Sequence, residues 1–447
     1  VSIARRFVTD NRPLHKTVLN LTWPVIIANL SLPLAGAVDT AVVGHLPNPA
    51  YIGAVALGAL VFSAIGWLFG FLRMGTTGLV AQSLGADDAN EITASYLRAL
   101  AIALVIGLSV VLLQKPLGTI VFWFFEASAQ VERFGLDYFD IRVWGAPFAM
   151  LNLVNLGLLF GLQKMRTALV LQLVLNGMNI VLDLVFVMGF GWSVSGVAAA
   201  TLISEAVTAI AGLWICLRLL GLNADRISRI HVFQKQKLIQ FGQINFNIMV
   251  RTLSLEIVFV YFMWISAKQG EVVLAANAVL IHLLHFVAYG MDGFAHAAEA
   301  LAGNAYGAKN RKRLHDVVFV TLGWSVVVGI AFCLVYLAGG NFIVGLLTGI
   351  PEVRSAASQY MIWLILMPLF SLWPFLFDGV YIGMTRTVEM RNCMLISTAA
   401  FFAVSYPLSI LWDNHGLWVG ILFFMAVRGL TMGLWYRRIE ARVGLAS

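Results

Sequence analysis

Residues 317–338 read VVFVTLGWSVVVGIAFCLVYLA, 22 consecutive positions without a charged side chain. At 1.5 Å of rise per residue a helix of that length covers about 30 Å, the thickness of the hydrocarbon layer of a bilayer. Comparable runs recur along the chain between short polar breaks, near 18–43, 52–82, 93–122, 138–161, 167–190, 195–219, 238–266, 273–304, 315–338, 356–383, 391–411 and 416–436. They are continuously apolar and do not alternate, which selects helical spans over the strands of a membrane barrel. The composition agrees: 60% of residues are hydrophobic and 11% charged, against roughly 25% charged in a soluble globular chain. The expected fold class is an all-α membrane protein of twelve transmembrane helices.

The net charge of +7 would suit a nucleic-acid binder, but the basic residues follow the spans. With alternate loops on alternate sides, one side collects Arg5, Arg6, Lys164, Arg166, Arg226, Arg229, Lys235, Lys237, the run from Lys309 to Arg313, Arg386, Arg391, Arg437 and Arg438. The other holds only Lys115, Arg133, Lys268 and Arg354. The positive-inside rule then puts the first side and both termini in the cytoplasm. Arg5 and Arg6 resemble an export signal, yet no small-residue cleavage site follows the first apolar run, so that run is expected to be a retained span. Cys216, Cys333 and Cys393 lie in or beside spans without metal-like spacing and read as packing residues.

Laid on itself at a shift of 220 to 222 positions, the chain matches itself: Gly85-Ala86 recurs as Gly307-Ala308, Tyr138 as Tyr360, Pro147 as Pro368, Gly161 as Gly383, Trp192 as Trp412 and Gly196 as Gly416. Each unit holds six spans, so the two copies enter the membrane with the same orientation, as parallel repeats. The expected organisation is two six-helix lobes, 1–220 and 238–447, joined by a cytoplasmic linker at 221–237. Duplicated bundles of this kind suit alternating access, since the halves can rock about a central site without being rebuilt.

Carboxylates inside a membrane need pairing, hydration or a proton. Asp39 lies in the first span, and the fifth carries Asn176, Asn179 and Asp183 on one helical face. Thr201 and Glu205, four apart, add a polar strip to the sixth. Oxygen-rich groups of this kind can hold a proton or a hard cation such as sodium. The second half has Glu256, then Asp292, His296 and Glu299 along the eighth span, and Asp378 in the tenth, with Arg251 as an ion-pair partner for one of these acids. His282 and His285 lack a third convergent ligand, so no metal site is expected. Pro24 and Pro33 free backbone carbonyls in the first span and permit bending there.

The stretch YGMDGFAHAAEALAGNAYGA at 289–308, with VDTAVVGH at 38–45, NIVLD at 179–183 and DGVYIGMT at 378–385, resembles the multidrug and toxic compound extrusion (MATE) family, and within it the branch of the DNA-damage-inducible transporters (DinF). The likeness implies an exporter of cationic or amphipathic compounds driven by protons or sodium. It also implies that Asp39 is the main coupling residue, that Asn179, Asp183 and Thr201 accompany it, and that Pro24 bends the first helix. Ala35 stands where some relatives carry a tyrosine one turn before that aspartate, so the hydrogen bonding at Asp39 differs here. Glu256 is similar to a sodium-coupling carboxylate of another branch, which leaves the choice of ion open.

The expected function is therefore a proton-coupled antiporter for multidrug efflux in a bacterial inner membrane, working as a monomer, without nucleic-acid partners and without a cofactor beyond the coupling proton or sodium. Phe148, Trp373 and Phe375 are candidates for an apolar substrate lining. A flippase for an anionic lipid-linked precursor is the rival, resting on Arg142, Arg251 and Arg428 within or near spans. An intramembrane enzyme built on Asp292, His296 and Glu299 lacks a nucleophile or metal constellation.

Overall fold

The computed structural model describes residues 12–44, 46, 48, 50–125, 128–221 and 232–444. Twelve of its helices are long and apolar enough to cross a membrane: α1 (Pro13–Gly44), α2 (Ala50–Gly85), α3 (Ala89–Leu112), α4 (Ala129–Gly161), α5 (Met165–Gly189), α6 (Ser193–Leu219), α7 (Lys235–Lys268), α8 (Glu271–Gly307), α9 (Arg311–Leu347), α10 (Pro351–Gly383), α11 (Thr387–Leu411) and α12 (Asp413–Arg442). The expected twelve-span, all-helical fold is therefore the one observed. Arg5, Arg6, Arg226 and Arg229, and with them most of the expected linker, lie outside the described residues.

One expected span ends early. The apolar run 93–122 is divided at Leu113, where α3 stops and a separate helix Gln114–Phe125 begins. The reason is local: Gln114 and Lys115 bring polar side chains to the boundary, and Pro116, which lacks an N–H, belongs in the first turn of a new helix.

The chain divides into two compact units: Ile27–Leu84 with Asp88–Asn245, and Val1–Ile26 with Gly85–Asp87 and Phe246–Ser447. These bounds differ from the halves of the repeat, because the first part of α1 counts with the second unit and Asp39 with the first. Close packing explains the assignment of the α1 start. A β-carbon on Gly293 of α8 would press on Thr22 and Ile26, so glycine there lets the helices meet. Within the same unit α8 and α10 approach closely, and a β-carbon on Gly379 or Gly383 would overlap the Ala295 or Glu299 carbonyl.

The repeat is also written in the backbone. Six non-glycine residues among those described have positive φ, and they fall into pairs: Asp87 (56°) with Lys309 (52°), Gln163 (60°) with Thr385 (50°), and Ser193 (45°) with Asp413 (48°). The first four close helix ends in the same way. The N–H groups of Asp88, Lys164, Asn310 and Arg386 donate back to the carbonyls of Ser83, Leu159, Ala305 and Tyr381 at 2.7–3.0 Å. This is the left-handed helix stop that usually takes glycine.

Buried polar pairs fix the helix register inside each unit. In the first unit the Tyr96 hydroxyl of α3 donates to Asn155 Oδ1 of α4 at 2.6 Å, and Asn155 Nδ2 donates to the Ala209 carbonyl of α6 at 3.1 Å. In the second, Asn277 of α8 exchanges bonds of 2.7 and 3.0 Å with Asn414 of α12 and accepts from Trp418 Nε1 at 2.9 Å.

Candidate functional site

The first unit gathers the expected polar residues in one place. Asn176, Asn179 and Asp183 sit at offsets of three and four on α5, so helical periodicity alone puts them on one face. All three are buried, Asp183 completely. Asn176 Nδ2 donates to Ser31 Oγ of α1 at 2.6 Å, and Asn179 Nδ2 donates to Thr201 Oγ1 of α6 at 3.2 Å. Asp39, one face further along α1, lies within hydrogen-bonding reach of Asp183. Two carboxyl groups therefore face each other. Yet neither Asp183 oxygen, nor Asp39 Oδ1, receives a hydrogen bond from a surrounding protein donor. A proton between them, or a cation held by both, would complete the arrangement.

The helices depart from α geometry on both sides of this pair. Directly after Asp183, α5 widens into a π turn over Leu184–Gly189. Directly after Arg142, α4 tightens into a 3-10 turn over Val143–Gly145. The π turn closes α5 and the 3-10 turn lies inside α4, and such irregular turns occur often at working sites.

Further residues of α4 and α6 complete the cluster. The Arg142 guanidinium makes a two-pronged ion pair with Glu205 of α6, at 2.8 and 2.5 Å, and stands over the Phe62 ring at 4.8 Å. Asn152 Nδ2 holds the Glu205 carbonyl at 3.1 Å. Tyr138, one turn before Arg142, feels the charges of Arg142, Asp39, Glu205 and Asp183 together. Its ring lies on Gly58 of α2, where a β-carbon would collide with it. Sequence reasoning placed Glu205 in the polar strip but did not join Tyr138 and Arg142 to the site. The available signal was their spacing of four on a span, together with a cation that needs a counter-charge in the same half.

The second unit is organised differently. Asp378 of α10, buried, is bonded through Oδ2 to both Arg251 of α7 and Arg428 of α12. His296 Nδ1 and Glu299 Oε2 of α8 lie 3.0 Å apart. Asp292 and Glu256 are half-buried, and Glu256 stands within electrostatic range of Arg251. The partner of Arg251 is thus Asp378. His282 and His285 are exposed, their rings 6.2 Å apart. Among the described residues no group of three or more His, Cys, Asp or Glu could hold a metal ion. Pro24 is buried in a helix that continues through it.

Twelve helices long and apolar enough to cross a membrane, with neighbouring carboxyl groups inside the first unit, describe a multi-pass membrane transporter. The MatE family model matches residues 24–185 and again 248–411, once in each half, and the chain belongs to that family. It is 38% identical over 436 residues to DNA damage-inducible protein F of Escherichia coli (strain K12), covering 98% of this chain and 94% of that one. It is 24% identical to Multidrug export protein MepA of Staphylococcus haemolyticus (strain JCSC1435), over 94% and 92% of the two chains. A solved structure of a multidrug resistance MATE family transporter of the MOP superfamily, in its outward-facing conformation, has the same fold, with a TM-score of 0.86 over 97% of each chain at 20% identity.

Proposed function

We propose that the protein is a secondary antiporter that exports cationic or amphipathic compounds in exchange for protons, by alternating access of two six-helix lobes. Neighbouring carboxyl groups, with both Asp183 oxygens and Asp39 Oδ1 lacking a protein donor, are the observation that carries this reading. Two carboxylates held together within membrane spans, Asp183 buried and Asp39 half-buried, repel unless a proton or cation lies between them. Binding of that proton and binding of a cationic substrate then oppose each other, and reciprocal exclusion across a rocking bundle gives exchange without chemistry. One proton moving down 100 mV supplies about 2.3 kcal/mol, which sustains roughly a fifty-fold gradient of a neutral compound.

Asp39 and Asp183 are the coupling residues in this reading, with Asn179 and Thr201 orienting them. Asp378 serves as the counter-charge of two arginines. The alternative is a flippase for an anionic lipid-linked precursor; against it, Arg142 is engaged by Glu205, and Arg251 and Arg428 share Asp378. The proposed setting is a bacterial inner membrane, with both termini on the cytoplasmic side and a monomer as the working unit.

The test is efflux of ethidium from proteoliposomes under a pH gradient or a sodium gradient, imposed separately. Wild type is expected to respond to the pH gradient, and Asp39→Asn to lose at least tenfold in rate. A response to sodium alone would reassign the pair as a sodium site. Transport under neither gradient would overturn the export reading.

A further inference from the structure

The Arg142–Glu205 ion pair has no part in proton exchange as described, yet it borders the exchanging pair. It is a built feature. Glu205 takes both prongs of the guanidinium and its backbone carbonyl is anchored by Asn152. One turn along α4, Gly145 leaves the space the pair occupies: a β-carbon there would lie 2.5 Å from Arg142 Nη1 and 2.9 Å from Glu205 Oε2. Arg142 itself is 7% exposed. The charged and titratable groups that act on it are Tyr138 on its own helix, Asp39 on α1 and Glu205 on α6, with Asp183 of α5 in range of Tyr138 and Asp39.

A buried guanidinium does not stay without a counter-charge. Two carboxyl groups, Asp39 and Glu205, lie within its electrostatic range. If Asp39 took Arg142, the aspartate would be held as a permanent anion and a proton would gain little by binding. Glu205 removes that competition by occupying both edges of the fork, the strongest geometry available to arginine. The 3-10 turn begins directly after Arg142, and the Phe62 ring lies 4.8 Å beneath the guanidinium.

We infer that Glu205 is a positioning residue of the exchange site: by holding Arg142 in a two-pronged pair it keeps the guanidinium off Asp39 and leaves the Asp39–Asp183 pair able to take and release a proton. The inference rests on the proton-exchange reading given above. Neutralising Glu205 frees Arg142 to turn to Asp39, so the damage lies in the arginine that is left behind. Removing that arginine as well should therefore repair it. A purely structural ion pair would also recover when both charges are removed, but its loss would lower the thermal midpoint and leave the pH profile of transport unmoved.

The experiment compares wild type, Glu205→Gln, Arg142→Gln and the double variant in proteoliposomes, reading ethidium efflux against internal and external pH and the thermal midpoint of each protein in detergent. Glu205→Gln is expected to transport at least tenfold more slowly, with its pH profile displaced toward acid because Asp39 is held ionised. The double variant is expected to return to within about threefold of wild type, with the profile restored. The inference is overturned if Glu205→Gln keeps the wild-type rate and profile, or if the double variant is no faster than the single one while both melt near wild type. Should Glu205→Gln fold poorly, Glu205→Asp, which keeps the charge, must keep the wild-type profile; displacement of that profile refutes the idea equally. Failure of the wild type itself to respond to pH would strike the underlying reading and not this one.

Discussion

Replacing Asp378 by asparagine separates two roles that a membrane carboxylate can have. In the structure Asp378 Oδ2 meets both Arg251 and Arg428, and Arg428 is only 1% exposed. The Asp378→Asn change keeps the shape but leaves two guanidinium charges without their counter-charge. Each charge-assisted hydrogen bond is worth about 1.5–3 kcal/mol, and breaking a buried ion pair from one side costs about 3–5 kcal/mol. With about 2–4 °C of melting temperature per kcal/mol for a unit of this size, the midpoint in detergent should fall by roughly 10 °C. Intrinsic tryptophan fluorescence during heating would read it, with Glu352→Gln, an exposed acid on the same helix, as a control that moves by less than about 0.5 kcal/mol. Adding Arg428→Gln to Asp378→Asn should recover part of the loss. A variant that melts with wild type but no longer responds to an ion gradient would refute this reasoning and make Asp378 a coupling group.

Two further outcomes follow from packing. Gly383→Ala forces a methyl group into the Glu299 carbonyl of α8, and overpacking of this kind costs about 1–3 kcal/mol; reduced yield and a lower midpoint in detergent would be the signs, and an unchanged midpoint would show that α8 and α10 can separate at no cost. Tyr96→Phe removes the hydroxyl that donates to Asn155 Oδ1 and leaves a buried acceptor unmet, which costs about 1–3 kcal/mol and should appear in the same melt without altering the pH profile of transport.

Much of this architecture can be read from the residues, because in a bilayer the apolar run and the span are nearly the same object. The exception at Leu113 shows the limit. Hydropathy averages over Lys115 and Pro116, whereas the backbone responds to each of them. The site was partly legible for a related reason. Asn176, Asn179 and Asp183 share a helix, so their common face follows from periodicity, but the meeting of Asp183 with Asp39 is tertiary. Arg142 illustrates the harder case: a buried cation announces that it needs an anion without saying whether Asp39, Asp183 or Glu205 supplies it. Arg251 needs one of the acids of its half, and Glu256, five residues on, is the one nearest in sequence. Five residues turn a helix by about 500°, which leaves the two side chains about 140° apart around the axis. The partner that faces Arg251 comes instead from α10.

The paired left-handed turns say something about inheritance. Asp87 answers to Lys309, Gln163 to Thr385 and Ser193 to Asp413; no pair shares a residue. Glycine would relax all six backbones at a saving of about 1 kcal/mol or more apiece, most of all at the β-branched Thr385, and none of the six positions has it. The ancestral half has thus been remembered as a set of torsion angles while its letters drifted. Alignment of the two halves by residue identity passes over the points where the duplication is best preserved.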